Sequence, residues 1–145
     1  MQKLAEKLVA EFFSSFPQVE SWIAKQRKFA SKNEYVLTIL NRRVWVNNYS
    51  YQAQNNAINS PVQGSAAEML KLALARFYES WPKEWGNFGV VAVIHDEIDV
   101  EVLNEFAEPC RDLLKKCMEE AGQELIPGIP CIADVGIYHD WSEKE

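Results

Sequence analysis

The sequence predicts an α+β fold: an antiparallel sheet with two hairpins, packed by helices. Three observations lead there. Apolar residues recur at three- and four-residue spacing in several stretches, the period of an amphipathic helix. Two other stretches, one around Tyr35–Val46 and one around Val90–Val102, are rich in β-branched residues and broken by a short polar turn. The resulting order is helices, hairpin, long helix, hairpin, helix, strand.

Each element follows from local chemistry. Leu4, Leu8, Val9, Phe12, Phe13 and Phe16 trace one helical face over Lys3 to Phe16. Pro17 suits the first turn of a second helix, which runs through Val19, Trp22, Ile23 and Gln26 towards Ser31. Tyr35 to Leu40 reads as a strand, Asn41-Arg42 as turn, and Val44-Trp45-Val46 as the returning strand, so that the hairpin tip displays Arg42 and Arg43. Asn47 to Tyr51 reads as loop, and a helical stretch with Pro61 inside follows. From Val62 the positions Ala66, Met69, Leu70, Ala73 and Phe77 form a stripe to be buried, ending near Ser80. Pro82, Gly86 and Gly89 mark turns.

Val90 to Ile94 is continuously apolar, and Ile98 to Val102 alternates strictly. Between them His95-Asp96-Glu97 makes a tight hairpin with Asp96-Glu97 at its tip and one strand face buried. Asn104 to Gly122 is a helix with Asn104 as N-cap and Pro109 near its start. Pro127, Gly128 and Pro130 turn the chain into a closing strand, Cys131 to Ile137. No linker or repeat divides these elements. The expectation is a single partial domain, 1–145: basic helices and hairpin over 1–50, a long helix over 51–81, a hairpin over 90–102, and helix plus closing strand over 104–137.

The 145 residues, 48% apolar and 25% charged, are ordinary globular usage. The apolar runs are too short to cross a bilayer, and no basic-then-apolar signal opens the chain, so no membrane is expected. Three cysteines, Cys110, Cys117 and Cys131, lack Cys-x-x-Cys spacing; the expectation is reduced thiols in a cytosol and no zinc site. Charge is polarised. Residues 1–50 hold eight Lys/Arg against four Glu, whereas 51–145 hold seven against seventeen Asp/Glu. A basic first third can meet phosphate, and an acidic remainder can hold cations or stay solvated.

Three constellations could carry chemistry. At His95-Asp96-Glu97, a turn projects adjacent carboxylates, the hard oxygen donors that Mg²⁺ takes alongside substrate phosphates. Turns also favour Asp for its backbone hydrogen bonds, and Asp99 and Glu101 read as a solvated strand face. Gln52, Asn56, Asn59 and Gln63 share one helical face if the helix runs through Pro61, and amides can read the acceptors that every base pair shows in the minor groove. The small residues Gly64, Ser65, Ala66 and Ala67 leave room for something bulky. A capping box starting at Ser60 is the competing use of the Gln63 side chain. Arg42-Arg43 suits phosphate, although exposed arginine pairs are common; Lys25, Arg27, Lys28 and Lys32 add a basic helix end.

Asn59-Ser60-Pro61-Val62-Gln63-Gly64-Ser65-Ala66-Ala67-Glu68 resembles the Asn-x-Pro-x-Gln-Gly-[Ser/Thr]-Ala-Ala-[Asp/Glu] helix of family A DNA polymerases. Val93-Ile94-His95-Asp96-Glu97-Ile98 resembles motif C of that family's palm. Phe16-Pro17, Tyr35-Val36 ahead of Arg42-Arg43, and the ending from Gly136 to Trp141 agree, so the resemblance covers nearly the whole chain.

The resemblance implies part of a palm subdomain acting on a DNA primer-template and deoxynucleoside triphosphates by a two-metal Mg²⁺ mechanism. It implies Asp96 as the catalytic metal-binding carboxylate and Glu97 as its catalytic neighbour near the primer terminus. His95 would lie against the primer strand, Asn59 and Gln63 at the minor groove, and Arg42, with Arg43 beside it, at the duplex backbone. Two departures stand out. Gln54-Asn55 replaces the family's usual Glu-Arg, and there is no Asp before Asp96 and no Arg-x-x-x-Lys helix ahead of the first hairpin. The expectation is a split or truncated subunit in a bacterial or phage-infected host cytosol, inactive without a partner polypeptide carrying motifs A and B. A non-catalytic DNA-binding or interaction module derived from the same fold is the alternative.

Overall fold

A computed structural model describes residues 2–46, 51–87 and 89–143. It shows an α+β chain with two separate two-stranded antiparallel sheets and four α-helices among those residues. The chain divides into two compact units between Ser65 and Ala66, each with its own core.

In the first unit, α1 (Gln2–Ser15) and α2 (Pro17–Asn33) follow the apolar spacing, with Pro17 at the first helical position where its missing N–H costs nothing. Leu4, Leu8, Val9 and Phe12 of α1 are all more than half exposed, so its apolar stripe is not buried within the unit. Glu34 ends α2 in the left-handed conformation, at φ 62°, with its N–H bonded to Ala30 O. The chain then enters β1 (Tyr35–Leu37), which pairs with β2 (Arg43–Trp45) in the register Tyr35 to Trp45, Val36 to Val44 and Leu37 to Arg43. Val36 and Val46 pack with Ala30 of α2 and with Ala53 and Ala57 of α3 (Tyr51–Ser80).

The loop of this hairpin is Ile39-Leu40-Asn41, not the arginines. Thr38 N–H donates to Arg42 O at 3.0 Å, Asn41 N–H returns to Thr38 O at 2.9 Å, and Asn41 sits at φ 61°. A three-residue loop closes with a left-handed residue in last place, and Asn tolerates that conformation. Asn41 therefore ends the turn, and Arg42 and Arg43 already belong to the returning arm. The expected loop from Asn47 lies at 47–50, outside the described residues; Tyr51 opens α3.

The second unit begins inside α3. Ala73 and Phe77 are buried with Ile98, Trp85 and the α4 residues Cys110, Leu114, Cys117 and Ala121. Met69 and Leu70 pack at the margin of this core, whereas Ala66 is exposed, so the stripe starts one turn later than its spacing suggests. Strands β3 (Gly89–Ile94) and β4 (Glu97–Glu101) pair antiparallel, with a register shift between Val90 and Ala92 that leaves Val91 as the extra residue. The burial is carried by Ile98 of β4; Val90, Val91, Val93 and Ile94 of β3 remain exposed.

Two further expectations fail here. Asn104 does not cap a helix: Asn104–Phe106 is a short 3-10 turn, and α4 (Ala107–Leu125) starts after Phe106 without a side-chain cap. Pro109 falls in the first turn of α4, where backbone N–H groups lack helical partners anyway. Residues 131–137 form no strand, because a strand exists only in a ladder and no described strand lies alongside them. They pack on α4 instead. Ala133 N–H donates to Glu119 Oε1 at 3.2 Å, and the Cys131 side chain fills the space over Gly122. Arg76 of α3 forms ion pairs with both Glu120 and Glu124 of α4.

Candidate functional site

The β3–β4 hairpin turns on two residues, His95 and Asp96, and Glu97 is the first residue of β4, facing Ile94. The tip is thus one residue earlier than Asp96-Glu97. A two-residue hairpin needs positive φ at its first central position to match the strand twist, and His95 supplies it at φ 58°. His95 and Asp96 are exposed, Glu97 is half-buried, and the three are consecutive on a scaffold anchored by buried Ile98. Behind them Asp99 is half-buried with its Oδ2 shielded from water, which differs from the solvated face expected; Glu101 is exposed as expected.

Among the described residues, no three or more His, Cys, Asp or Glu side chains gather to hold a cation. The donor chemistry at the turn still suits Mg²⁺, which binds through one or two protein carboxylates while substrate phosphates and water complete its shell. Asp96, with Glu97 beside it, could supply that share.

In the first unit, α3 runs unbroken through Pro61, and Gln52, Asn56, Asn59 and Gln63 are all exposed. The four amides therefore line one helical face at spacings of four, three and four. Continuity of α3 also removes the capping box. Ser60 is an interior residue, with a helical turn on either side, so Gln63 is not the third residue of a new helix.

The small residues after Gln63 serve two purposes. Gly64 and Ser65 admit this chain's own hairpin: Ile39 N–H donates to Ser65 Oγ at 2.9 Å, Ser65 Oγ donates to Pro61 O at 2.6 Å, and Arg42 Nη2 reaches Gly64 O at 3.4 Å. A Cβ on Gly64 would stand 2.6 Å from Thr38 Cγ2. Ala66 and Ala67 are exposed and leave space outward.

The arginines do not act as a pair. Arg42 turns to the α3 backbone, and Arg43 lies over the Tyr35 ring, its guanidinium carbon 4.8 Å from the centroid. Sequence reasoning missed Thr38, a buried hydroxyl that accepts from Arg42 N–H at 3.0 Å and fixes this corner, and Arg76, the link between α3 and α4. The i to i+4 relation of Thr38 and Arg42 across a turn was the available signal for the first; for Arg76 there was none.

Comparison with known proteins adds the frame. A profile of DNA polymerase family A matches residues 1–143. The thermostable DNA polymerase I of Thermus filiformis is 32% identical over 150 residues, covering 99% of this chain and 17% of that protein. DNA polymerase I of Caldicellulosiruptor bescii is 28% identical, again over 99% of this chain and 17% of its own length. The chain thus spans about one-sixth of these relatives. Among solved structures, the POL domain of Pol1 from M. smegmatis, in complex with DNA primer-template and dNTP, superimposes with a TM-score of 0.74 at 24% identity, over 83% of this chain and 23% of that one. That likeness concerns the fold.

Proposed function

The chain belongs to DNA polymerase family A, and we propose that it is the C-terminal part of such a polymerase's palm, taking part in template-directed nucleotidyl transfer. The observation that carries this is a carboxylate, Asp96, held at the exposed turn of a two-residue hairpin in a chain that matches the family over 143 residues. Asp96 would hold Mg²⁺, which when bound stabilises charge on phosphoryl oxygens. Glu97, next to it at the start of β4, would lie near the primer terminus, and His95 would lie against the primer strand. The amides Asn59 and Gln63 read minor-groove acceptors shared by all base pairs, so duplex is gripped without regard to sequence. Arg42, tied to α3, and Arg43 offer charge to the phosphate backbone.

A two-metal centre takes carboxylates from more than one segment. We therefore place a partner polypeptide, carrying motifs A and B, beside this chain, and deoxynucleoside triphosphates as substrates of the joined enzyme. No described helix is long and apolar enough to cross a membrane. Three free cysteines suit the reducing cytosol in which we place the complex. A DNA-binding module without catalysis, derived from the same fold, is the second reading. Primer extension separates them: the isolated chain is expected to incorporate no nucleotide with Mg²⁺, and the chain joined to the missing portion is expected to extend the primer. Robust synthesis by the pure isolated chain overturns the partial-subunit reading, and a reconstituted complex that binds DNA but never extends favours the module.

A further inference from the structure

Helix α1 carries an apolar row that the chain leaves in water. Leu4, Leu8 and Phe12 stand four residues apart, so they lie one above the other on one side of the helix. Phe16 extends the row: its N–H donates to Phe12 O at 2.9 Å, and the two rings meet at 5.1 Å. From Leu4 to Phe16 the row is about 18 Å long. All four residues are more than half exposed, and no described α1 residue joins either core. Phe13, half-buried, turns instead into the groove between α1 and α2, which Pro17 and Glu20 line from the other side. The row is thus distinct from the surface that α1 turns to α2. Lys7 and Glu11 border it on one edge, each one residue before a member of the row, and pair with each other at 3.6 Å.

We propose that this row is a self-association surface, on which α1 of a second copy of the chain lies antiparallel. A contiguous apolar stripe on the exposed side of a helix marks a contact site, and the charges beside it select what fits. A two-fold axis across the middle of the row sets Leu4 against Phe16 and Leu8 against Phe12 of the second copy. The same axis brings like edges together, so Lys7 of each copy comes within about 3 Å, along the helix axis, of the level of Glu11 in the other. One edge supplies both signs, and every contact is made twice. Each member of the row meets another member, so the assembly closes at two. The surface is smaller than a standard interface, and association is expected on the order of 10–100 µM. The inference goes beyond the polymerase reading and asks nothing of Asp96.

The test is sedimentation velocity of the full chain from about 5 to about 500 µM. The mean mass is expected to rise from one chain towards two and to stop there. Leu8→Glu, at an exposed position, should stay monomeric over the whole range with an unchanged far-ultraviolet circular dichroism spectrum. Lys7→Glu should weaken pairing roughly tenfold, because two symmetric ion pairs become repulsive contacts. The exchange Lys7→Glu with Glu11→Lys should restore it, as a direct pair between copies requires. A wild type that is monomeric throughout overturns the proposal and leaves the row to a different polypeptide. Growth beyond two chains, undiminished pairing by Leu8→Glu, or an exchanged variant no tighter than Lys7→Glu alone overturns it as well. None of these outcomes bears on the assignment of Asp96.

Discussion

Replacing Gly64 by Ala sets two effects of known size against each other. Gly64 lies within α3, where Ala is favoured over Gly by about 0.8–1.0 kcal/mol. The added Cβ would stand 2.6 Å from Thr38 Cγ2 and 3.3 Å from Arg42 Nη2. The arginine tip can swing aside. Thr38 cannot, because it is buried and its hydroxyl accepts from Arg42 N–H at 3.0 Å. Forcing an extra carbon into such a site costs about 1–3 kcal/mol. The net expectation is a loss of about 1 kcal/mol, seen as a lower urea midpoint by far-ultraviolet circular dichroism with an unchanged m value. Thr38→Ser removes the colliding methyl and keeps the hydroxyl. In that background Gly64→Ala should become stabilising by about 1 kcal/mol, the helix preference alone. A reversal of sign between backgrounds is the signature of the close approach. Stabilisation by Gly64→Ala in the wild-type chain, or the same effect in both backgrounds, would refute this account of how the hairpin seats on the helix.

Gln63→Ala should leave thermal stability within about 0.5 kcal/mol, since an exposed interior amide caps nothing, while primer-template affinity falls about fivefold, one hydrogen bond's worth, with no change in salt slope. A stability loss without a binding loss would contradict the groove-reading role. Burial pushes the Cys110 thiol up to about 11. The unfolded chain ionises this thiol at lower pH than the folded chain does, so its contribution to stability is present below about 8.5 and lost as pH rises through 11. Cys110→Ser should shallow the alkaline fall in urea midpoint over that window; an identical fall in both proteins would exclude Cys110 as its source. Arg76→Ala should cost about 0.5–1 kcal/mol through its two ion pairs, less in high salt, because all three side chains are partly exposed. A loss that does not respond to salt would mean that Arg76 acts through packing.

Much of the fold could be read because it is locally encoded. Two hairpins with a polar break, and a helix running through Pro61, needed only periodicity and turn chemistry. The misplacements have physical causes. Asn41-Arg42 looked like a turn centre, but a three-residue loop places its left-handed residue last, which moves the tip back to Ile39-Leu40 and splits the arginines between α3 and Tyr35. Ser60 ahead of Pro61 carried a helix-start signature, yet α3 continues on both sides of it, so packing overrode a local signal. The small residues after Gln63 signalled close approach correctly; what approaches Gly64 and Ser65 is the chain's own hairpin. Cys131–Ile137 has strand composition without a ladder partner, and pairing is a property no single segment holds. At the candidate site, the position of Asp96 at a turn was legible from two flanking apolar strands. The division of His95 and Asp96 to the turn and Glu97 to the strand depended on a backbone angle that sequence does not state.

The central claim is that Asp96 supplies a metal-binding carboxylate to nucleotidyl transfer. Single-nucleotide incorporation on a primed template with Mg²⁺, by the chain together with a polypeptide that carries motifs A and B, tests it with wild type and Asp96→Asn side by side. The substitution keeps the side-chain shape at an exposed turn and removes only the charge. Incorporation is expected to collapse by at least a hundredfold, about 2.7 kcal/mol of transition-state stabilisation, while primer-template affinity and the urea midpoint hold. Turnover by Asp96→Asn at the wild-type rate would contradict the claim and take this turn out of the catalytic centre.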